Sequence, residues 1–256
     1  MLNINEEKKL SNILKKLKNN YGLRGIKAEF EAEGSSLEDI HRLKKICAKD
    51  GIKLYVKIGG VEAIRDIYDC IDVGVDGIIA PMVESRFGAK KFLDCIEKLD
   101  LKKIFHLSIN IETQAGHKNY DAILNILKNS IDNITIGRTD LSASYFKKNI
   151  NPESKIIHNV IKDIYKKNIS AGLTTTIGGS ISRKTFDNYN NDLTYKKVNK
   201  IETRKVILDS KFFFRNTDAL EKALEFEEYY ILYKKSNFDL RFYDEFSRLT
   251  KLRNRI

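Results

Sequence analysis

The chain has 256 residues, a hydrophobic fraction of 42% and a formal net charge of +11, which is enough apolar sequence for one large α/β domain. Its three cysteines, Cys47, Cys70 and Cys95, lie in helical patterns without metal-ligand spacing, which suits a reducing compartment. The lysines are spread along nearly every predicted helix without a nucleic-acid-binding motif, so we expect no nucleic-acid partner. The first 20 residues are polar and no run is long enough to span a membrane, so we expect a cytoplasmic protein without membrane contact.

The first part of the chain alternates predicted helices and strands. Apolar residues at helical spacing predict a helix over 5–20, and strict alternation predicts a strand over 25–34 with Ile26, Ala28 and Phe30 on one face. Glu29, Glu31 and Glu33 share the other face of that strand with Lys27. The same patterns then predict a helix from Ser36 to about Asp50, a strand over 52–58, a helix over 61–73, a strand over 77–83 and a helix over 87–99.

The stretch from Ile104 to Ser144 carries the strongest functional pattern. An alternating strand ends at Glu112, a helix follows over 120–128, and a second strand over 134–137 runs into Arg138-Thr139-Asp140. A right-handed crossover makes the two strands parallel, so Glu112 and Asp140 are expected to meet at one edge of the sheet. Two carboxylates there are typical of a hard divalent cation site, although acidic residues at strand ends also serve as helix caps.

The last third of the chain is predicted from weaker patterns. We expect a helix from near Pro152, a strand over 169–176, a polar loop or short helix over 180–197, a strand over 198–208, and two helices near 217–235 and 239–253. The seven predicted strand ends are 26, 25, 28, 28, 36 and 28 residues apart. Such a regular interval predicts an α/β fold of the TIM (β/α)8 type, and the charged strand faces fit a barrel better than a doubly wound sheet.

One strand of the barrel is not located by the sequence. Residues 1–4 supply a rudimentary strand, or the barrel is incomplete at its start. We expect a single barrel domain over 1–256, with the helix in 1–22 and the helices in 217–256 packing on the barrel or on a partner subunit.

Polar side chains follow most of the predicted strands, and active sites of this fold lie at that end of the barrel. For any one of them, a structural ion pair is the alternative to a catalytic role, because buried charges need partners. The candidate residues are Glu29, Glu31, Lys57, Glu84, Glu112, Arg138, Thr139, Asp140, Thr174, Thr176 and Arg204.

Three of these strand ends resemble those of a known family. Gly77-Ile-Ile-Ala-Pro-Met-Val-Glu-Ser, Ile109-Asn-Ile-Glu-Thr and Ile136-Gly-Arg-Thr-Asp-Leu-Ser are similar to signature segments of the HpcH/HpaI aldolase and citrate lyase β-chain family. The resemblance covers about residues 24–180. It implies a TIM barrel that makes or breaks a C–C bond next to an enolate derived from a 2-oxo acid or an acyl-CoA. It also implies a divalent metal, Mg²⁺ or Mn²⁺, bound by Glu112 and Asp140.

The sequence departs from the family pattern at three places. Ala32 occupies the position of the family histidine, Lys57 that of an arginine that polarises the substrate carbonyl, and Arg138-Thr139 replaces the usual Pro-x before Asp140. We therefore hypothesise that Lys57 and Arg138 bind the substrate carboxylate or carbonyl oxygen. One of Glu29, Glu31 or Glu84 would then transfer the proton. Thr139, Thr174, Thr176 and Arg204 complete the predicted substrate site.

The alternatives from other classes stay open at this point. The same enolate chemistry serves a transferase or decarboxylase, and a barrel that has lost catalysis would bind a small acid or a protein partner. The resemblance further implies a homo-oligomer assembled through C-terminal helices, with the aromatic run Phe226–Tyr233 as a contact. That run is otherwise the apolar face of a helix that packs on the barrel.

Overall fold

A computed structural model describes residues 2–190 and 197–253 of the chain. The eight strands are β1 Leu23–Glu29, β2 Leu54–Lys57, β3 Gly77–Ala80, β4 His106–Ile111, β5 Asn133–Gly137, β6 Thr174–Gly178, β7 Lys200–Glu202 and β8 Val206–Asp209. The first seven helices are α1 Leu2–Asn20, α2 Leu37–Lys49, α3 Ile64–Val73, α4 Arg86–Lys98, α5 Gln114–Lys118, α6 Tyr120–Leu127 and α7 Arg138–Ala143. The remaining helices are α8 Lys155–Ser170, α9 Arg183–Asn190, α10 Ser210–Arg215 and α11 Ala219–Arg253, and a 3₁₀ turn covers Leu101–Lys103.

The strands close into one barrel in sequence order, which confirms the predicted fold class. Strands β1 to β7 are parallel to their sequence neighbours, as the regular interval between strand ends predicted. Strand β8 is antiparallel to both β7 and β1, where an ordinary barrel of this type has a parallel strand.

The eighth strand comes from the end of the barrel sequence and not from its start. Residues 2–4 belong to α1, and the single strand predicted over 198–208 is a tight hairpin of β7 and β8. The amide nitrogens of Thr203 and Val206 donate across this turn, to Val206 O at 3.0 Å and to Thr203 Oγ1 at 3.1 Å respectively. The prediction of one long strand was therefore wrong, because Thr203-Arg204-Lys205 contains neither glycine nor proline to mark a turn.

Alternation along β1 places charged side chains inside the barrel. Ile26 and Ala28 are fully buried against the helices, whereas Lys27 and Glu29 point into the lumen and are also buried. The strand ends at Glu29, so the predicted strand to residue 34 was too long, and Glu31 lies in the turn that follows.

A small apolar layer divides the lumen. Tyr55, Ile79 and Ile207 form a buried cluster that is separate from the main core between barrel and helices. The ring of Tyr55 fits because its neighbours Gly25 and Gly77 have no side chain. A Cβ atom would lie 2.5 Å from that ring at Gly25 and 2.6 Å from it at Gly77. Since Tyr55 precedes Lys57 by two residues on β2, the layer separates the carboxyl-terminal end of the lumen from the amino-terminal end.

The two terminal helices pack side by side on the outside of the barrel. Leu10 and Leu14 of α1 and Phe226 and Tyr230 of α11 are buried, so part of the predicted aromatic contact lies within this chain. The two helices predicted after residue 217 are one continuous helix, α11. The predicted loop or helix over 180–197 contains α9, and residues 191–196 lie outside the described residues. In the described part of the chain, no helix combines the length and the apolar character needed to cross a bilayer.

Candidate active site

A cavity of about 380 Å³ opens at the carboxyl-terminal end of the parallel strands, and we call it the mouth cavity. Strand ends and the loops after them supply its walls, which is the usual place of the active site in this fold. The cavity is lined by Lys27, Glu29, Ala32, Lys57, Asn110, Glu112, Thr135, Gly137, Thr139, Asp140, Gly178, Gly179, Ser180, Glu202, Thr203 and Arg204.

A buried ion network forms the floor of the mouth cavity. The Lys27 ammonium lies 2.5 Å from Glu202 Oε1 and 2.8 Å from Glu29 Oε1, and Lys57 Nζ lies 3.2 Å from Glu29 Oε2. Burial alone would raise the pKa of Glu29, but the charges of Lys27 and Lys57 outweigh it and lower this pKa to about 2. Burial likewise opposes the charge of Lys27, yet Glu202 and Glu29 raise its pKa above the ordinary value. Both groups therefore stay charged at neutral pH.

Glu112 follows the end of β4 and is buried at 3% exposure. Its Oε1 accepts a hydrogen bond of 3.0 Å from the Met82 amide, and its Oε2 accepts one of 3.1 Å from Asn110 Nδ2. Met82 has a φ of 49°, an uncommon backbone conformation for a residue other than glycine. A Cβ at Gly137 would lie 2.7 Å from Glu112 Oε2, so glycine at the end of β5 makes room for this carboxylate.

The electrostatic surroundings of Glu112 favour a bound cation. Burial raises the pKa of Glu112 even though the nearby charge of Lys57 and the two hydrogen bonds oppose the shift, and the charge of Asp140 adds to the rise. The neighbouring Asn110 Oδ1 is buried and has no hydrogen-bond partner. An ionised carboxylate and an unpaired amide oxygen together are a place where a cation would lower the free energy.

Asp140 lies in the first turn of α7, directly after β5, and is exposed to the mouth cavity. Within residues 2–190 and 197–253, no three His, Cys, Asp or Glu side chains converge tightly enough to form a metal cage. Mg²⁺ does not need such a cage, because it commonly binds one or two carboxylates together with substrate and water. Glu112, Asp140 and Asn110 Oδ1 fit that kind of hard cation.

The mouth cavity also carries hydrogen-bond donors for an anionic substrate. Thr139 Oγ1 and Ser180 Oγ lie 2.8 Å apart. The Arg204 side chain is 61% exposed, and among the described residues it forms hydrogen bonds with Ala32 O at 3.2 Å and with Glu33 Oε1 at 3.4 Å. Ala32, in place of the family histidine, lines the cavity with a methyl group that can neither accept nor donate a proton.

Five of the predicted site residues do not line the mouth cavity. Glu31 and Glu84 are exposed outside it. Thr176 is buried and donates to Asn133 Oδ1, whereas Thr174 lies at the amino-terminal start of β6, at the other end of the barrel. Arg138 is fully buried and points away from the cavity, and its partners are Gly178 O, Gly179 O, Glu153, Thr185 and Tyr189.

The predicted site residues leave out six charged or polar residues that line the mouth cavity, namely Lys27, Asn110, Thr135, Ser180, Glu202 and Thr203. Lys27 and Glu202 hold the ion network together, and Ser180 pairs with Thr139. The signal for Lys27 was present, because it alternates with Ile26 and Ala28 and must point inward. Ser180 gave no signal, since it lies in a polar loop where it adopts a φ of 51°.

No curated protein sequence matches this chain significantly. Among solved structures, an HpcH/HpaI aldolase from Desulfitobacterium hafniense DCB-2 is 14% identical, with a TM-score of 0.57, covering 69% of this chain and 76% of that one. The citrate synthase SbnG is 17% identical, with a TM-score of 0.60 and 87% and 89% coverage. An HpcH/HpaI aldolase/citrate lyase family protein from Burkholderia cenocepacia J2315 is 11% identical, with a TM-score of 0.59 and 86% and 89% coverage.

At these identities the structural likeness concerns the fold, and the sequence match identifies the family. Residues 38–175, which are more than half of the chain, match the HpcH/HpaI aldolase/citrate lyase family. The matched segment contains Lys57, Glu112 and Asp140. The chain therefore belongs to the HpcH/HpaI aldolase/citrate lyase family.

Proposed function

We propose that the protein is a lyase of the aldolase type, dependent on Mg²⁺ or Mn²⁺, that cleaves or forms a C–C bond of a 2-oxo acid or an acyl-CoA analogue. One observation carries the proposal: Glu112 and Asp140, from neighbouring strand ends, line the same mouth cavity as the cations Lys57 and Arg204. Carboxylates for a metal and cations for a substrate acid are the two requirements of enolate chemistry on such a substrate.

The metal would be held by Glu112 and Asp140, with Asn110 Oδ1 beside them. When bound, it supplies a Lewis acid that stabilises negative charge on the substrate carbonyl oxygen. The protein itself contributes positive charge from Lys57, whose ammonium is fixed 3.2 Å from Glu29 Oε2. Arg204, Thr139 and Ser180 are the donors that we assign to the substrate carboxylate.

No histidine is among the described residues that line the mouth cavity, so another side chain must accept the substrate proton. Of Glu29, Glu31 and Glu84, only Glu29 lies there, so we assign it that role. Its low pKa depends on Lys27 and Lys57. When the Lys57 ammonium pairs with the substrate oxygen, Glu29 loses part of the positive charge that lowers its pKa. Its pKa then rises, and it becomes a stronger base.

The metal site is tested by titrating Mn²⁺ into the wild type and into Asp140→Ala, and by assaying pyruvate release from a 4-hydroxy-2-oxo acid. We expect Asp140→Ala to weaken Mn²⁺ binding at least about tenfold, because one of two carboxylates is lost. The wild type should release pyruvate only with the cation. Equal Mn²⁺ affinity in the two proteins would contradict the metal assignment.

The role of Glu29 is tested by comparing Glu29→Gln with Glu31→Gln, a pair that differs in access to the mouth cavity. We expect Glu29→Gln to lower turnover at least about a hundredfold, the usual scale for a general base, and to leave Mn²⁺ binding intact. Glu31→Gln is the matched control and should leave turnover unchanged, since Glu31 is exposed outside the cavity. A loss of thermal stability without a loss of turnover in Glu29→Gln would mean that the network is structural.

Two alternatives predict different outcomes in the same assays. An enolate-forming transferase or decarboxylase would bind Mn²⁺ and exchange the C3 protons of a 2-oxo acid, but it would not release pyruvate from the 4-hydroxy-2-oxo acid. A barrel that only binds a small acid or a protein partner would show neither exchange nor cleavage. We favour the lyase because the family to which the chain belongs has that activity.

We also propose a cytoplasmic protein with a single barrel domain over 1–256 that forms homo-oligomers. The proposal of self-association rests on the outer part of α11, where apolar side chains are between 58% and 68% exposed at helical spacing. These side chains are Ile231, Phe238, Phe242 and Phe246.

A further inference from the structure

The amino-terminal end of the barrel, opposite the mouth cavity, contains two adjoining cavities that we call the basal cavities. Their volumes are about 420 and 350 Å³, and both are lined by Arg24 and Lys200. The apolar layer of Tyr55, Ile79 and Ile207 lies between them and the mouth cavity. No residue of the proposed reaction lines them.

The walls of the basal cavities are strongly basic. Asp209 is the one carboxylate among their described lining residues, and it is already paired with Arg24 at 2.5 Å. The cations that line the two cavities are Lys18, Arg24, Lys53, Lys197, Lys200 and Lys211.

Lys200 is the central residue of this charge cluster. It opens β7, and because Ile201 points outward into the main core, Lys200 points into the lumen. In the described residues its ammonium has no hydrogen bond or ion pair. Burial lowers the pKa of Lys200 to about 8. The charges of Glu202 and Asp132 oppose this shift, and those of Arg24 and Lys53 add to it. A partly buried cation without a partner costs folding free energy, which an anion would recover.

His106 supplies a second unsatisfied group at the same place. Its Nδ1 is buried without a hydrogen-bond partner, and its ring packs edge-on against Tyr55 at 5.5 Å. Both His106 and Lys200 line the 350 Å³ cavity. An unpaired imidazole nitrogen and an unpaired ammonium in one cavity indicate a ligand that carries several oxygen atoms.

We propose that the basal cavities bind a phosphate group, from either inorganic phosphate or a phosphate monoester, at a site separate from the mouth cavity. Phosphate matches this cluster because it carries about two negative charges at neutral pH and accepts hydrogen bonds on all of its terminal oxygens. The 350 Å³ cavity holds a phosphate group with room to spare, and the adjoining cavity would receive the organic part of a monoester.

The test is a titration with inorganic phosphate, and in parallel with glycerol 2-phosphate, against sodium chloride at equal ionic strength. The imidazole resonances of the four histidines report the location by NMR. We expect the His106 resonances to shift with saturation while those of His41, His117 and His158 stay in place. Tighter binding of glycerol 2-phosphate would identify a monoester as the ligand, and equal or weaker binding would identify free phosphate.

Three variants make the result specific. Lys200→Met should weaken phosphate binding at least about tenfold and raise the melting temperature in phosphate-free buffer, because it removes a buried, unpaired charge. Lys128→Met changes an exposed lysine that lines neither basal cavity, and it should change neither quantity. Lys57→Met should keep the His106 response, since Lys57 belongs to the mouth cavity. Unchanged phosphate affinity in Lys200→Met, or loss of the His106 response in Lys57→Met, would overturn the proposal.

Discussion

Arg138→Met is expected to lower the free energy of unfolding by about 3–5 kcal/mol, the usual effect of removing one partner of a buried charge pair. The guanidinium is fully buried and donates to Gly178 O at 3.3 Å, Gly179 O at 2.7 Å and Tyr189 Oη at 2.6 Å. It also lies 2.9 Å from Glu153 Oε1. Its fifth acceptor is Thr185 Oγ1, at 3.2 Å. Methionine replaces the volume but none of these bonds, so five acceptors lose the donor that Arg138 supplied. Urea denaturation of both proteins measures the loss.

The dependence of stability on acidic pH is a second test of the pair formed by Arg138 and Glu153. Burial opposes ionisation of Glu153, but three neighbours lower its pKa to about 2: His158, with Nε2 3.9 Å from Oε2, the Thr185 hydroxyl, which donates a hydrogen bond, and the charge of Arg138. A lowered carboxylate pKa stabilises the fold above the unfolded value of 4.5, and this contribution is lost as pH falls toward 2. Between pH 4.5 and pH 2, Arg138→Met should therefore lose less free energy of unfolding than the wild type. Urea denaturation at several pH values measures the difference.

Arg183→Met is the matched control for Arg138→Met, because Arg183 lies on α9 but is exposed. Its effect should stay within about 0.5 kcal/mol. If Arg138 instead bound substrate, as the sequence indicated, Arg138→Met would leave the urea midpoint unchanged and raise KM.

Glu112→Gln is expected to lower metal-dependent turnover by about a hundred- to a thousandfold and, at the same time, to stabilise the metal-free protein. The two effects have one cause. Burial raises the pKa of Glu112, so ionising this carboxylate at neutral pH costs more in the folded protein than in the unfolded chain. A neutral amide avoids that cost. Because Asn110 Nδ2 now faces Glu112 Oε2, the glutamine nitrogen donates to Asn110 Oδ1 once the Asn110 amide turns over. We expect a gain of about 0.5–2 kcal/mol at pH 7.

The stability gain of Glu112→Gln should depend on pH. Below the unfolded pKa of 4.5 the carboxyl group is protonated in both states, so the stability gain of Glu112→Gln should vanish there and grow as pH rises. Glu84→Gln serves as the control, because Glu84 is exposed outside the mouth cavity. A Glu112→Gln protein that is less stable at pH 7, or that binds Mn²⁺ like the wild type, would show that Glu112 is a structural residue.

The barrel was predictable because its signals are local. Alternation and apolar spacing located the seven parallel strands, and parallel neighbours bring Glu112 and Asp140 to one end whatever the rest of the chain does. The β7–β8 hairpin was missed because a three-residue strand and an unmarked turn leave almost no pattern. Thr174 was assigned to the wrong end of its strand, since helix α8 extends to Ser170 and Gly172, with a φ of 73°, turns the chain directly into β6.

The orientation of Arg138 could not be predicted in the same way. Next to Asp140, an arginine has an obvious catalytic interpretation. Its actual partners lie between 15 and 51 residues further along the chain, and three of them are on α9 or in the loop before it. No local pattern encodes a contact of that kind. The sequence therefore identifies which charged residues reach the end of the barrel more reliably than it identifies where their side chains point.

The antiparallel strand β8 has a consequence for the synthesis of the protein. Strand β1 pairs on one side with β2, close behind it in sequence, and on the other side with β8, about 180 residues later. At a translation rate of about 5–20 residues per second, one edge of β1 stays unpaired for about 10–40 s until β8 has been synthesised. During that time the nascent chain exposes unpaired backbone amides to the crowded space around the ribosome. The charged Arg24, Lys27 and Glu29 on this strand oppose pairing with another nascent chain until the hairpin emerges and completes the barrel.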